Sequence, residues 1–209
     1  MTLSLLVFYG SYRETRAGIR LADYCVRTLI GRGHDAELID AKVVGLPMLD
    51  KRLSDYAPGT APKAMSDLAE KISKADGFVF VTGEYNSGLQ PGLKNLVDHY
   101  YKEWRRRPVG IASYSAGRMA GARSSYAWHP TLTTIGLAVI PATVAVGGIT
   151  ESLDEQGQPI GAGGAAAGLS FQAVVRVPNN AVPMRTCVAP SMIAVSKSPD
   201  MPIERPSSP

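Results

Sequence analysis

Apolar runs at 3–9 (LSLLVFY), 77–82 (GFVFVT) and 137–146 (LAVIPATVAV) punctuate the chain, and DAELID (35–40) and PVGIASY (108–114) complete a set of five strand candidates. Between them the spacing of apolar residues predicts helices from about Ala17 to Gly31, near 62–74, from about Pro91 to Trp104 and near 119–135. In the first of these Ile19, Ala22, Tyr24 or Cys25, Val26 and Leu29 recur at helical spacing, while Arg20, Asp23 and Arg27 fall elsewhere. Strands alternating with helices imply a parallel sheet covered on both faces. Three of the runs are apolar nearly throughout, as strands buried on two sides should be. The expected fold is therefore α/β, a doubly wound five-stranded parallel sheet.

Two connections break this rhythm. Residues 41–61 (AKVVGLPMLDKRLSDYAPGTA) are rich in Pro and Gly and carry Met48 and Leu49; they read as a surface loop or as a cover for a pocket or a second subunit. Residues 151–209 form a Pro/Gly/Ala-rich end, with "AGGAAAGLS" followed by a proline every few residues and no helical period. A fifth strand in this architecture should be followed by a covering helix. From about residue 163 the residue bias is instead what a GC-rich gene yields when read out of frame, so the expectation after a domain spanning 1–150 is an irregular tail that is aberrant or disordered, or else one that wraps a neighbouring subunit.

Composition narrows the field without naming a function. The chain has 209 residues, 45% of them hydrophobic, and no apolar run reaches the roughly 18–20 residues needed to span a bilayer. The N-terminus reads as a first strand and not as a signal peptide, which makes the cytoplasm the expected location. Cys25 and Cys187 are far apart and His34, His99 and His129 are scattered, so neither a disulfide framework nor a metal site is expected. The net charge of +4 is mild and no basic face with interleaved aromatics appears, which argues against nucleic acid.

The candidate chemistry lies in three loops. In an open parallel sheet ligands bind beyond the carboxyl ends of the strands, where the strand order reverses. After the first strand, "GSYRETRAG" (Gly10 to Gly18) lacks the spacing of a dinucleotide fingerprint and the Lys-Ser/Thr of a P-loop. It offers instead Ser11, Arg13, Thr15 and Arg16 beside a helix start, a donor set suited to one phosphate. After the third strand come Glu84, Tyr85 and Asn86, and then "QPGLKN", with Pro91 in the first turn of a helix. After the fourth, "SYSAGRMAGA" supplies Tyr114, Ser115 and Gly117, small or aromatic groups that let backbone amides and rings approach a ligand.

Together "GSYRETR", "TGEYNSGLQPGLKNLVDHY" and "PVGIASYSAGRMAGAR" resemble the NADPH-dependent FMN reductase family of flavodoxin-like enzymes, which includes quinone, azo-dye and chromate reductases. The family pattern reads approximately G-S-x-R-x-x-S/R, then T-P-E-Y-N-x-x-x-P-x-x-L-K-N-x-x-D, then a Tyr- or Gly-rich loop, and the likeness extends over roughly residues 3–150. The resemblance implies a flavodoxin-like sheet of order 2-1-3-4-5. It implies that Ser11, Arg13 and Arg16 hold the FMN phosphate, that Glu84, Tyr85 and Asn86 lie along the isoalloxazine, and that Tyr114, Ser115 and Gly117 lie on its other side. It further implies NADPH or NADH as co-substrate, a small electron acceptor, no catalytic side chain beyond the flavin, and a homodimer or homotetramer with Tyr100, Tyr101 and Trp104 as interface candidates. Two departures stand out: Gly83 replaces the usual Pro, and "NSGLQPG" shifts the spacing before Pro91. The competing reading is a flavin-binding electron carrier or redox-sensitive interaction protein without turnover, against which the positive charge argues weakly.

Overall fold

The computed structural model describes residues 1–161. The expectation of an irregular or aberrant tail falls almost wholly on 162–209, outside the described residues.

Five strands, β1 (Ser4–Tyr9), β2 (Asp35–Asp40), β3 (Gly77–Gly83), β4 (Pro108–Tyr114) and β5 (Ala138–Val146), pair in parallel in the order β2-β1-β3-β4-β5. The order reverses between β1 and β3, because the chain runs outward from β1 to β2 and then returns to the other side of β1. Every residue of β3 is buried, which explains its unbroken apolar run. Alternate residues of the central strands supply two cores. On one face Leu6, Phe8, Phe78, Phe80, Val109 and Ile111 pack under α3 (Lys63–Lys74), α4 (Pro91–Asp98) and α5 (Ala122–Thr134). On the other, Val7, Tyr9, Val79, Val81, Ala112 and Val144 meet Leu21, Ala22, Cys25 and Leu29 of α1 (Ile19–Gly31).

The helix expected over Pro91–Trp104 ends at Asp98, and a single 3-10 turn follows at Lys102–Trp104. Packing explains the break. Trp104 is fully buried, its ring edge-on to Phe8, Phe78 and Phe80, and its Nε1 donates to Val97 O at 3.1 Å. The carbonyl of His99 is taken by the backbone N–H of Leu53, so the helical ladder is not continued there. Tyr100 and Trp104 are therefore core residues of this chain and unavailable to an interface; Tyr101 alone of the three is exposed, at 39%.

Residues 41–61 are anchored. Asn95 on α4 accepts from Leu49 N and donates to Pro47 O, and Leu46 is buried beside α2 (Ala41–Val44). In β5 the register jumps from Val109↔Val139 to Ile111↔Thr143, a bulge that accommodates Pro141, which has no N–H for the ladder. Beyond β5 the chain forms α6 (Ile149–Ser152) and docks on α1: Ile149 and Leu153 join the second core, Arg20 donates to Leu153 O and Arg27 to Gly157 O, both at 2.9 Å. Among the described residues no helix is long and apolar enough to cross a membrane, and no cluster of His, Cys, Asp or Glu has the makings of a metal site.

Candidate functional site

The loops after β1, β3 and β4 meet at the carboxyl edge of the sheet, over the switch point between β1 and β3. Loop 1 (residues 10–18) leaves β1 through Gly10, where only a glycine fits: a β-carbon there would lie 2.2 Å from the backbone N of Leu93 on α4. The next side chain, Ser11, is 2% exposed, and its hydroxyl lies 3.2 Å from the Tyr85 hydroxyl, joining loop 1 to loop 2. The first-turn N–H groups of α1 are not free, contrary to what the sequence suggests. Those of Ile19, Arg20 and Leu21 bond back to the carbonyls of Arg16, Ala17 and Gly18. Earlier in the loop, the N–H groups of Tyr12, Glu14 and Thr15 have no acceptor among the described residues.

The two arginines of loop 1 do different things. Arg13 is exposed and makes no ion pair among the described residues. Arg16 is committed: Nη1 lies 2.6 Å from Asp40 Oδ2, donates to Ser11 O at 3.4 Å, and the guanidinium sits 5.8 Å above the Tyr9 ring. Asp40 in turn accepts from Lys42 N and so caps α2. Arg16 thereby ties loop 1 to the end of β2, a partner that lies outside every motif read from the sequence.

Loop 2 is a hairpin. Tyr85 and Gly88 exchange backbone hydrogen bonds of 3.3 and 2.9 Å around Asn86 and Ser87, which both have positive φ (48° and 64°), the signature of a two-residue primed turn. Asn86 and Ser87 are exposed at its tip. Glu84 is held, with Oε2 accepting the backbone N–H of Arg123 at 3.2 Å and Oε1 3.3 Å from Arg123 Nη1.

In loop 3 Ser115 donates its N–H to Val146 O and its hydroxyl to Gly117 O at 2.7 Å, and Gly117 is exposed with open space where a β-carbon would stand. The N–H groups of Ala116, Gly117 and Arg118 have no acceptor among the described residues. Tyr114 departs most from expectation, because its ring turns inward. It lies against Gly18 and Gly83, 6.4 Å from the Tyr9 ring, and its hydroxyl accepts from Gln90 Nε2 at 3.0 Å. Burial raises the phenols of both Tyr9 and Tyr114 above the usual tyrosine value.

The structure thus brings all nine sequence-derived site residues to one edge but divides them. Ser11 and Tyr85 touch across loops 1 and 2, and Arg13, Asn86 and Gly117 are exposed, whereas Arg16, Glu84, Tyr114 and the Ser115 hydroxyl are spent on protein partners. Tyr9 and Gln90 belong to the cluster and were missed. Gln90 stands at the position where the family pattern has its proline, and that spacing shift was the available signal. Two shallow cavities, of about 390 and 440 Å³, lie elsewhere, between α4 and α5 and beneath α2. Neither combines a buried hydroxyl, unpaired loop N–H groups and an unpaired guanidinium, so the loop cluster is the better anion site.

The residues present suit an FMN phosphate. The donor set of loop 1 consists of a hydroxyl, a free guanidinium and unpartnered N–H groups, which is the chemistry a phosphate dianion requires. Gly10 permits the loop to approach α4 closely.

The sequence pattern described as NADPH-dependent FMN reductase matches residues 3–151. The chain is 32% identical over 132 residues to the NAD(P)H-dependent FMN reductase ntnL of Nectria sp, a match covering 58% of this chain and 63% of that protein. It is 34% identical over 95 residues to a quinone reductase of Escherichia coli strain K12, covering 44% and 50% respectively. These matches span less than two thirds of either relative's length. Among solved structures, the fold is similar to FerB, a flavoenzyme NAD(P)H:(acceptor) oxidoreductase from Paracoccus denitrificans, with a TM-score of 0.65 at 20% identity over 83% of this chain and 96% of that one.

Proposed function

This chain belongs to the NADPH-dependent FMN reductase family, and from that premise we propose that it is an FMN-dependent oxidoreductase using NADPH or NADH to reduce a small acceptor such as a quinone, an azo compound, chromate or free flavin. The observation that carries the reading is the buried Ser11 hydroxyl beside unpartnered loop N–H groups and the unpaired Arg13, set over the switch point of the sheet.

FMN, when bound, supplies the hydride chemistry between a nicotinamide donor and the acceptor. Ser11 and Arg13 take its phosphate, and the free N–H groups of Tyr12, Glu14 and Thr15 complete the cradle. Arg16 adds positive charge while braced against Asp40. Tyr85 and Asn86 on one side, with Ser115 and Gly117 on the other, flank the ring. Glu84 and Tyr114 hold the loops that carry them. The unpaired N–H groups of Ala116, Gly117 and Arg118 are preorganised to stabilise negative charge at a ring edge. No side chain acts as a nucleophile. The protein works as a homodimer or homotetramer in the cytoplasm, with the open side of the loop cluster near the subunit interface.

The test is the visible absorption spectrum of the purified full-length protein, with FMN added if it is colourless. Flavin bands that shift on binding, bleach with NADPH and return when a quinone is supplied are expected. A protein that takes up no FMN overturns the reading, and one that binds FMN but does not turn over with any acceptor overturns the enzymatic part of it.

A further inference from the structure

Tyr114 leaves β4 at the centre of the loop cluster and fills a slot that two glycines create. A β-carbon on Gly18 would lie 2.0 Å from Tyr114 Cζ, and one on Gly83 would lie 2.8 Å from it. The ring is thus wedged between the start of α1 and the end of β3. Gln90 closes the slot: it is 0% exposed and donates from Nε2 to the Tyr114 hydroxyl at 3.0 Å. Both departures from the family pattern, Gly83 and the residue displaced by the shift before Pro91, therefore touch the same ring.

From Tyr114 the polar contacts continue inward. The Tyr114 ring lies 6.4 Å from the Tyr9 ring, and the Tyr9 hydroxyl donates to Arg16 O of loop 1 at 3.4 Å. Within loop 1, Ser11 Oγ accepts the N–H of Arg13 at 3.4 Å and lies 3.2 Å from the Tyr85 hydroxyl. The string Gln90, Tyr114, Tyr9 thus runs from the α4 end of loop 2 to loop 1, which it meets at Gly18 and at Arg16 O. Gln90 Oε1 is the one buried side-chain polar atom without a partner among the described residues. An apolar side chain at 90 would avoid that unpaired oxygen, so what the amide contributes is its N–H on Tyr114.

We infer that Tyr114 and Gln90 are positioning residues that fix the spacing of loop 1, and with it the cradle for an FMN phosphate, without touching the cofactor themselves. This rests on the FMN reading above and reassigns Tyr114 from a ring contact to a wedge. It predicts selectivity for the phosphate, since the string acts on the cradle and not on the ring site.

The experiment measures dissociation constants for FMN and for riboflavin, which lacks the phosphate, by quenching of flavin fluorescence on the full-length apoprotein. Wild type is compared with Tyr114→Phe, Gln90→Leu and the double variant, with a thermal melt of each. Loss of one oriented hydrogen bond should weaken FMN binding about tenfold in either single variant and leave riboflavin unchanged. The double variant should bind FMN no more weakly than the singles, because both break the same string. Gln90→Leu leaves the aromatic wedge in place and so decides the matter if Tyr114→Phe does not fold. Equal losses for FMN and riboflavin, additive losses, or unchanged FMN affinity would overturn the inference while leaving the FMN reading intact. Absence of FMN binding by wild type would overturn both.

Discussion

Glu84, on the loop after β3, caps a helix that begins 38 residues later: its carboxylate accepts the backbone N–H of Arg123 and pairs with the same residue's guanidinium. α5 starts after Gly121, which has no side-chain cap of its own, so an orphan donor of its first turn is satisfied from loop 2. The acid also sits at the positive end of the helix dipole. Glu84→Ala should therefore cost about 1 kcal/mol, the usual worth of a cap. Arg123→Ala should cost less, because the guanidinium is 60% exposed and its ion pair is screened by solvent. Denaturant unfolding of the two variants checks the order; a larger loss for Arg123→Ala would mean that the ion pair and not the cap holds the loops together.

The two arginines of loop 1 should separate binding from stability. Arg13→Ala removes an exposed, unpaired guanidinium, so melting should be unchanged while FMN affinity falls about 10- to 100-fold, the value of a charge-assisted contact. Arg16→Ala strands Asp40, whose side chain is 7% exposed, and should destabilise the fold by about 2 kcal/mol. Melting curves and flavin titrations on both variants read the contrast. Equal melting temperatures would show that the Arg16 to Asp40 pair contributes nothing net.

Gly18 is predicted to be irreplaceable while Tyr114 is present. Gly18→Ala drives a methyl group into the phenol ring and should cost about 1–3 kcal/mol or more, as overpacking does. Gly117→Ala, with open space around it, should change stability by less than about 0.5 kcal/mol. Combining Gly18→Ala with Tyr114→Ala should cost less than the sum of the two single changes, since the ring that clashes is gone. Strict additivity would place the clash elsewhere.

Alkaline pH should unfold the protein through its buried phenols. Burial raises Tyr9, Tyr100 and Tyr114 above the ordinary tyrosine range, so the folded state keeps protons that the unfolded chain releases near pH ~10. The stability they contribute is complete below that pH and is lost as pH rises above it. Phenolate absorbance from these residues should appear together with loss of tertiary structure, and Tyr114→Phe should flatten the pH dependence of the melting temperature. Full ionisation of all tyrosines in a still-folded protein would contradict this.

Much of the architecture is a local property of the chain. The unbroken apolar run of β3, the helical spacing of Leu21, Cys25 and Leu29, and the glycine-bracketed loops after β1, β3 and β4 each depend on neighbours within a few residues. Alternation of strands and helices then implies a doubly wound parallel sheet, and the motif resemblance supplies its strand order. The location of the candidate site follows from that order, and the nine residues read from the three loops do converge on one edge of the sheet.

What each residue does there was not legible, because its partner is distant in sequence. Arg16 reads as a phosphate ligand until Asp40 from β2 is placed beside it. Glu84 reads as a ring contact until the start of α5 arrives, and Tyr114 reads as one until Gly18 and Gly83 leave a slot for its ring. The helix past Asp98 stops for the same reason: Leu53 takes the His99 carbonyl and the sheet takes the Trp104 ring. Periodicity and motif spacing determined the elements, their order and the edge where the loops gather. Only tertiary packing decided which polar groups are satisfied by the protein and which remain free to bind, since burial obliges each polar group to find a partner wherever the fold brings one.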